Sequence, residues 1–564
     1  MSKKIIVIGG SAAGPKAAAR ARRLDNDAEI TIIQKDEDLS MASCGYPYYV
    51  GGFFDDRNLL ICTPTGVPRD PGFFSNAKGI TAKTLTEVTG IDRKQHTVTC
   101  RDLKTGTESK MKYDKLIIAT GSLPRIPPIP GSTLKGITTL QSMKDADFLR
   151  DIRVNKKIKK AVIIGGGLIG IETCEALQLA GIEITVIEML PQLLTFLDYE
   201  LAKLVENHVK SKAANVITDN GVSEFLGENN ILKGVKLKNG TEIPCELAVI
   251  AIGVKPNTAL AEKAGLAIGK TGGIYVSDFL VTSDPDIYAA GDCIETNHLL
   301  TKQRTIAPYG DLANLEGRVA GENAVCGDCV IFPGTIQTGI CKVFDFSAGS
   351  TGLSETAAKK NGYTSLITVI NAGLDKPVFM NGKLLVSKMI ADKNSQKILG
   401  FQCVGPGDVS KQIAMAAIAI KAGLTINDLV NADLPYAPPF SLAVDNFIST
   451  AHILENKMKN RMDGIACAEV KKLIDSKEKI FMLDVRGPEE FAAMRLGCGE
   501  TLIPLGALRK RIGEIPQDKN QLIICYCKIS LRGYEAAAFL SAMGWKNVKV
   551  MEGGIMAWFY PREK

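Results

Sequence analysis

Two glycine-rich turns, Gly9-Gly10-Ser11-Ala12-Ala13-Gly14 and Gly165-Gly166-Gly167-Leu168-Ile169-Gly170, constrain this chain more than any other feature. Each follows a short apolar run of strand type, Lys3–Ile8 in the first and Ala161–Ile164 in the second. Each precedes a helix-forming stretch, to about Leu24 and through Leu179, and then a second strand, Glu29–Ile33 or Glu183–Ile187. This is a β-turn-α-β unit. Small residues in its turn let a diphosphate approach the backbone N–H groups at the helix N-terminus. There the donors are unpaired and the dipole is positive. The chain is therefore expected to hold two dinucleotides.

The two units are unequal. The first offers Gly9, Ser11, Ala12, Ala13 and Gly14, with Ser11 in place of the middle glycine. Gln34, followed by Lys35, ends its second strand where an acid usually binds ribose hydroxyls. The second unit fills every glycine position, with Gly165, Gly167, Leu168, Ile169 and Gly170, and its second strand ends in Glu188. An acid there hydrogen-bonds a 2′-hydroxyl and repels a 2′-phosphate, so NADH is expected over NADPH. Two further pieces return to the first unit. Tyr113–Ala119 closes on Thr120-Gly121, and Thr282–Ala290 closes on Gly291-Asp292. That order implies a first domain interrupted by the second.

At 564 residues the chain is long enough for several domains. Its net charge of +7 gives no reason to expect nucleic acid. No apolar run is long enough to span a membrane, and the early strand leads us to expect no signal segment. The 14 cysteines are scattered and read as buried or catalytic thiols. A cytoplasmic protein is expected. From about residue 331 the pattern changes. Thr335–Phe344, Ser365–Val369, Lys383–Ile390 and Ile398–Val404 read as an antiparallel sheet, with a helix at Val409–Ala422. A Pro-stiffened loop, Leu434–Phe440, presents Tyr436, and a polar stretch at Asn456–Arg461 reads as a linker. A compact α/β unit fills the remainder.

Cys44, in Ser40-Met41-Ala42-Ser43-Cys44-Gly45-Tyr46-Pro47, is the expected redox centre. Its position near a helix start predicts a lowered thiol pKa. Tyr46, Tyr48 and Tyr49 occupy the space where a second cysteine would complete a dithiol. Cys44 is therefore expected to cycle through a mixed disulfide, a persulfide or a sulfenic acid. Lys479–Leu483 reads as a strand ending in Asp484-Val485-Arg486, and Leu522–Cys525 as a strand running into Cys527. The loop from Cys527 to Arg532 aims N–H groups at the Cys527 sulfur, an arrangement that stabilises a thiolate or persulfide. Cys525 is expected to face the opposite side of its strand. Cys326-Gly-Asp-Cys329 has metal or redox spacing without a second pair or a nearby histidine, and reads as a loop thiol pair.

Together, the two Gly-rich units, Ala119-Thr120-Gly121, Gly291-Asp292, the single Cys44 and Tyr436-Ala437-Pro438-Pro439 resemble the single-cysteine pyridine nucleotide-disulfide oxidoreductases. The nearest branch is similar to coenzyme A-disulfide reductase and its rhodanese-fused relatives, the NADH-dependent coenzyme A persulfide and polysulfide reductases. The chain keeps the family's Ser40, Cys44, Gly45, Pro47 and Tyr48, but has Met41 for Phe and Ser43 for Asn. The resemblance implies an α/β fold: two doubly wound, glutathione-reductase-like FAD- and NAD-binding domains, an α+β dimerisation domain and a rhodanese-like domain. The implied bounds are 1–121 with 247–325 for FAD, 122–246 for NADH and 326–455 for dimerisation. A linker at 456–463 and a rhodanese-like unit at 464–564 complete the chain.

The same resemblance assigns FAD and NADH as cofactors and coenzyme A as a ligand. Ser43, Gly253, Asp292 and Ala313 join the cofactor surface. Arg20, Arg23, Ser40, Ser43 and Lys78 would receive the substrate, although the loop Thr65–Ser75 is longer than usual. Tyr436 would act across a homodimer interface on Cys44, with Cys527 as sulfur carrier and Arg532 beside it. Met494–Pro504 departs from the rhodanese pattern. Two alternatives stay open. One is an NADH oxidase or peroxidase cycling Cys44 as sulfenic acid, although the first histidine is His96, beyond the Gly-rich segment where peroxidases place one. The other is a redox-responsive protein that docks a sulfur carrier.

Overall fold

A computed structural model describes residues 2–156 and 158–563; Met1, Lys157 and Lys564 lie outside them. The chain divides into two compact units, residues 1–189 with 219–335 and residues 190–218 with 336–564.

In the first unit, both glycine-rich turns follow edge-to-edge parallel strands. Ile287–Ala289, Lys115–Ile118, Lys4–Ile8, Glu29–Ile33 and Thr81–Lys83 lie in that order, all parallel. Sequence order is broken twice here, so segments distant in the chain converge beside the first turn. Lys4–Ile8 is buried from Ile5 onward, as a strand covered on both faces requires. A second parallel array runs Glu183–Ile187, Lys160–Ile164, Leu247–Ile250, Ile137–Thr138. Only Ile287–Ala289 of the expected strand Thr282–Ala290 is extended, because Thr282–Asp286 forms a turn capped by the Thr282 hydroxyl. The antiparallel meander Thr86–Asp92, Thr97–Asp102, Glu108–Lys112 was not foreseen from sequence.

The helix Gly310–Cys326 crosses the helix Ala13–Leu24 at backbone contact. A Cβ at Gly317 would fall 2.3 Å from the Ala13 carbonyl oxygen, and one at Gly321 would fall 2.3 Å from that of Ala17. Ala17, Ala18, Ala21, Ala320 and Ala324 fill the rest of the seam and are fully buried. Small residues at spacings of three and four are what permit so close a crossing.

In the second unit the antiparallel sheet runs Gly339–Val343, Phe346–Gly352, Ile398–Gly405, Leu384–Asp392, Leu366–Leu374. The helix Tyr199–Ser211, assigned by sequence to the NADH-binding domain, groups with this unit. A buried ionic cluster explains why. The Lys388 ammonium lies 3.3 Å from Asp198, 3.3 Å from Glu200 and 2.9 Å from Glu355. Burial alone would raise the Glu355 pKa, but Lys388 and Lys359 hold it down at about 2. Gln402 closes the cluster by donating to Asp198 at 2.8 Å.

The C-terminal sheet is parallel and runs Gly464–Ile465, Val548–Met551, Leu522–Tyr526, Ile480–Asp484, Thr501–Leu502. The stretch expected to be a linker begins inside the helix Asn446–Met458. Lys457 on that helix pairs with the fully buried Glu552, which also accepts from the Ile370 N–H at 2.9 Å. The expected linker is thus tied to both neighbouring sheets. No helix among the described residues is long and apolar enough to cross a membrane.

Gly317→Ala tests the helix crossing. The added methyl has no room without backbone movement, and overpacking of this kind costs about 1–3 kcal/mol. The variant is expected to unfold at lower temperature than the wild type in a thermal melt. An unchanged midpoint would show that the two helices separate freely.

Candidate active site

Cys44 lies in a single 3-10 turn, Ser43–Gly45, which runs into the short helix Tyr46–Gly51 with Pro47 in its first turn. Proline there suits a helix start, where its missing N–H is no loss. The Cys44 sulfur faces the first residue of the helix Gly310–Cys326; a Cβ at Gly310 would lie 3.7 Å from it. One side of Cys44 is open at the surface. Crowding on the other side pushes its thiol pKa up, and Glu172, Asp292 and Asp311 add to the rise. The direction is opposite to the sequence expectation. Burial, reinforced by three carboxylates gathered from distant segments, outweighs the turn's own N–H groups, and no local motif reports it. Tyr48, just beyond Cys44, donates to Glu172 at 3.0 Å.

The first dinucleotide turn has the cradle that a diphosphate needs. Gly9 has φ of 107°, and a Cβ there would lie 2.1 Å from the Ala119 carbonyl oxygen. The helix Ala13–Leu24 begins without a capping side chain, so its first N–H groups stay available. Gln34 bends back to accept from the Gly10 N–H at 2.8 Å, doing at this turn what Glu188 does at the other. Lys35 pairs with Glu87 at 3.0 Å. Ser11 is exposed and Ala12 half-buried at the open side of the turn.

Gly291 brings its turn against Ala13 and Ala313; a Cβ there would lie 3.1 and 3.6 Å from theirs. Asp292 is half-buried rather than a solvated turn residue. It accepts from the Ser122 hydroxyl at 2.9 Å, and burial raises its pKa. Thr120 donates to the Asn257 carbonyl at 2.7 Å, and Gly121 takes a φ of 69°. These residues fit a dinucleotide with its diphosphate on the Ala13 helix.

The second turn repeats the construction. A Cβ at Gly165 would lie 2.4 Å from the Ala251 carbonyl oxygen, and one at Gly170 2.0 Å from that of Gly165. Gly167 faces open space, and the helix Leu168–Gln178 starts without a capping side chain. Leu168 and Ile169 form its first turn. Glu188 accepts from the Gly166 N–H at 2.7 Å. Gly253 has a φ of 92° with open space beside it.

The expected anion-binding residues are differently committed. Arg20 is held by Glu322 at 2.7 Å, whereas Arg23 in the same helix is exposed. Lys78 ends the helix Pro71–Lys78, its ammonium 5.6 Å from the centre of the Phe73 ring. The loop expected over Thr65–Ser75 is therefore helical from Pro71, with Asp70 accepting from the Phe73 N–H at 2.7 Å. An Asp-Pro pair at a helix start was the available signal. Ser40 takes a φ of 51° and donates its N–H to the Gly10 carbonyl at 2.6 Å, which ties the Cys44 segment to the first turn. Ser43 is exposed beside Cys44.

In the second unit, Tyr436 is 54% exposed on an irregular loop. Cys527 follows the strand Leu522–Tyr526 and precedes the helix Leu531–Ala542, as expected, but is fully buried. Arg532 forms a two-pronged pair with Glu490 at 2.7 and 2.8 Å, and the nearby Cys527 adds to the rise that this pair gives its pKa. The Arg532 guanidinium holds the Glu490 carboxyl down at about 2. Ser530 takes a φ of 90°, a strained conformation for a residue with a side chain. Cys525 is buried in the core as expected, but Cys527 joins the same apolar cluster, so the two are not divided between separate cores. Arg486 is buried on Asp484 and donates to the Met494 carbonyl at 2.8 Å, bracing the divergent stretch Met494–Pro504.

Sequence reasoning missed Glu316. It is buried inside the helix Gly310–Cys326 and accepts from the Gly291 N–H at 2.8 Å. Burial pushes its pKa up to about 8. Its only signal was a lone acid on a face of alanines and glycines.

Residues 3–308 match the family described as pyridine nucleotide-disulphide oxidoreductase, 338–447 its dimerisation domain and 466–560 the rhodanese-like domain. The chain belongs to the pyridine nucleotide-disulphide oxidoreductase family. It is 34% identical over 456 residues to an NAD(P)H coenzyme A polysulfide/persulfide reductase of Pyrococcus horikoshii, covering 81% of this chain and 99% of that one. A solved NAD-dependent persulfide reductase from A. fulgidus is similar at 42% identity and a TM-score of 0.93, over 98% of this chain and all of its own. The reduced CoADR-RHD of Bacillus anthracis is similar at 34% identity and a TM-score of 0.91, over 99% of this chain and 98% of its own. The α/β architecture with dimerisation and rhodanese domains, and FAD with a nicotinamide nucleotide as cofactors, follow from that membership.

Glu316 makes a pH-dependent prediction. Its folded pKa of about 8 stands above the ordinary 4.5, so the folded chain keeps a proton that the unfolded chain gives up. That contribution is complete below about pH 4.5 and is lost as pH rises to about 8, at up to about 1.4 kcal/mol per pH unit. Glu316→Gln cannot ionise and removes this slope. In thermal melts across that range, the variant should gain on the wild type as pH rises. A difference independent of pH would contradict the assignment.

Proposed function

We propose that the chain uses NADH to reduce the sulfur–sulfur bond of a coenzyme A-linked or inorganic persulfide, polysulfide or disulfide, through Cys44. The observation that carries this reading is the exposed Cys44 thiol facing Gly310 on the unit with the two glycine-rich turns, in a chain that also matches the rhodanese-like domain. The relatives named for coenzyme A persulfide and polysulfide reduction support the same substrate class.

The Ala13–Leu24 helix, Gln34, Gly121 and Asp292 would hold FAD, and the Leu168–Gln178 helix with Glu188 would hold NADH. When bound, these cofactors would supply hydride transfer and a two-electron reduction of the sulfur centre. The chain's own residues do the rest. The Cys44 thiolate attacks one sulfur of the substrate, forms a Cys44–sulfur bond and expels the other sulfur as a thiolate or hydrosulfide. Tyr436 of the partner subunit stands ready to protonate that leaving group. The raised Cys44 pKa favours the neutral thiol between turnovers, which limits oxidation of an exposed sulfur.

Arg23, with Lys78 and Ser40, forms the approach for an anionic substrate. Arg20 serves it through its pair with Glu322. Cys527 relays sulfane sulfur, and its burial means that the loop 527–532 must open to load it. All 14 cysteines are free thiols, which suits a reducing, cytoplasmic setting.

Anaerobic NADH oxidation with coenzyme A persulfide, coenzyme A disulfide, polysulfide and peroxide, with sulfide followed in parallel, tests the reading. Fast turnover with sulfane sulfur and stoichiometric sulfide is expected. Cys44→Ser should lose about three orders of magnitude of that rate while keeping its flavin spectrum. Turnover only with peroxide or oxygen, or full activity in the variant, would overturn it.

A further inference from the structure

Cys326 and Cys329 lie at the opposite end of the helix whose first residue faces Cys44. Cys326 is the last helical residue, and Gly327 follows with a φ of 80°. The chain then turns back, so that Cys329 lies over the final helical turn. Its sulfur is 3.6 Å from Asn323 Oδ1, and after burial the neighbouring Cys326 thiol is the largest influence that raises its pKa. Side chains on a helix lean toward its N-terminus, so the Cys326 sulfur overhangs the same turn.

This turn is built rather than loose. Asn323 is fully buried and spends its whole amide on it. Its Oδ1 accepts from the N–H groups of Cys329 at 3.2 Å and Val330 at 2.9 Å. Its Nδ2 donates to the carbonyls of Phe279 and Val330, both at 2.8 Å. Asp328, between the cysteines, accepts from the buried Tyr288 hydroxyl at 3.2 Å. Both thiols are nevertheless exposed. Two exposed thiols three residues apart, on a helix-end turn whose backbone is fixed by Asn323, can close into a disulfide with little movement. A metal is not the better occupant, because no group of three ligating side chains forms here or elsewhere among the described residues.

We propose that Cys326 and Cys329 are a second redox site, a surface dithiol that sulfane sulfur oxidises to an intramolecular disulfide. The choice of oxidant rests on the substrate class proposed above. One thiol attacks the outer sulfur of a persulfide R–S–SH, forming a Cys–S–SH and releasing R–SH. The second thiol attacks the cysteine sulfur of that persulfide, forming the Cys326–Cys329 bond and releasing hydrogen sulfide. Two thiols are oxidised, one sulfane sulfur is reduced to sulfide, and the thiol protons leave with the products. No NADH is used.

The surroundings favour the oxidised form. The thiols sit at the negative end of the helix dipole, beside Glu322 and Asp328, where a thiolate gains nothing. A dithiol whose thiolate is unsupported forms a disulfide that resists reduction, the reverse of strongly oxidising pairs. The site therefore registers exposure to sulfane sulfur and holds that record while Cys44 turns over.

The test uses full-length holoenzyme, reduced, desalted and kept anaerobic, then treated with sodium tetrasulfide without NADH. Free thiols are alkylated and the digest is read by mass spectrometry, for the wild type and for Cys44→Ser. Cys326 and Cys329 are expected unalkylated and joined in a peptide lighter by two hydrogens, in both proteins, with Cys341 on the same tryptic peptide counted separately. A phosphine reductant should return Cys326 and Cys329 to the alkylated form. Cys326→Ser should abolish this product and leave NADH-driven sulfide release unchanged. Alkylation of both Cys326 and Cys329 after tetrasulfide, separate stable persulfides on the two cysteines, or a disulfide to any other cysteine would overturn the inference. Failure of NADH-driven sulfide release would overturn the proposed function instead, since the dithiol product forms without NADH and without Cys44.

Discussion

The active site depends on a crossing of two helices at backbone contact. Gly317 and Gly321 rest on the carbonyls of Ala13 and Ala17, so the helix Gly310–Cys326 can lie against the helix that follows the first glycine-rich turn. That contact fixes three things at once. It sets the Gly310 end against the Cys44 sulfur, places Ala313 beside the Gly291 turn, and buries Glu316 under the Gly291 N–H. A larger residue in the seam would move all three together, because packed interiors shift as bodies and do not yield locally.

The two candidate sulfur centres differ in their electrostatic surroundings. Cys44 is open on one side and surrounded by carboxylates, so its thiol is held back from ionising. Cys527 is closed off, with a guanidinium beside it that a carboxylate holds in place. The first suits an exposed thiol that acts when substrate and cofactor arrive. The second suits a store that protects sulfur from solvent until its loop moves. The strain at Ser530 lies in the segment that would have to move.

Much of this was legible in the sequence, where the signal was local. The β-turn-α-β units, the interrupted first domain, the Glu188 position and the Cys527 loop follow from residue order and spacing. What escaped depends on groups brought together from afar. The burial of Cys44, with the carboxylates Glu172, Asp292 and Asp311 from separate elements, reversed the expected direction of its pKa. Lys388 draws Asp198 and Glu200 into the second unit, which no stretch of sequence announces. Arg20 looked free on its helix because Glu322 is far from it in the chain.

The central claim is that Cys44 makes and breaks the bond to substrate sulfur. The most direct measurement mixes the flavin-loaded protein anaerobically with coenzyme A persulfide, quenches in acid before and after adding NADH, and maps the modified cysteine by mass spectrometry. The account predicts a sulfur or coenzyme A adduct on Cys44 that forms without NADH and disappears on adding it. A Cys44 that stays unmodified while sulfide is produced, or an adduct that persists through turnover, would contradict it.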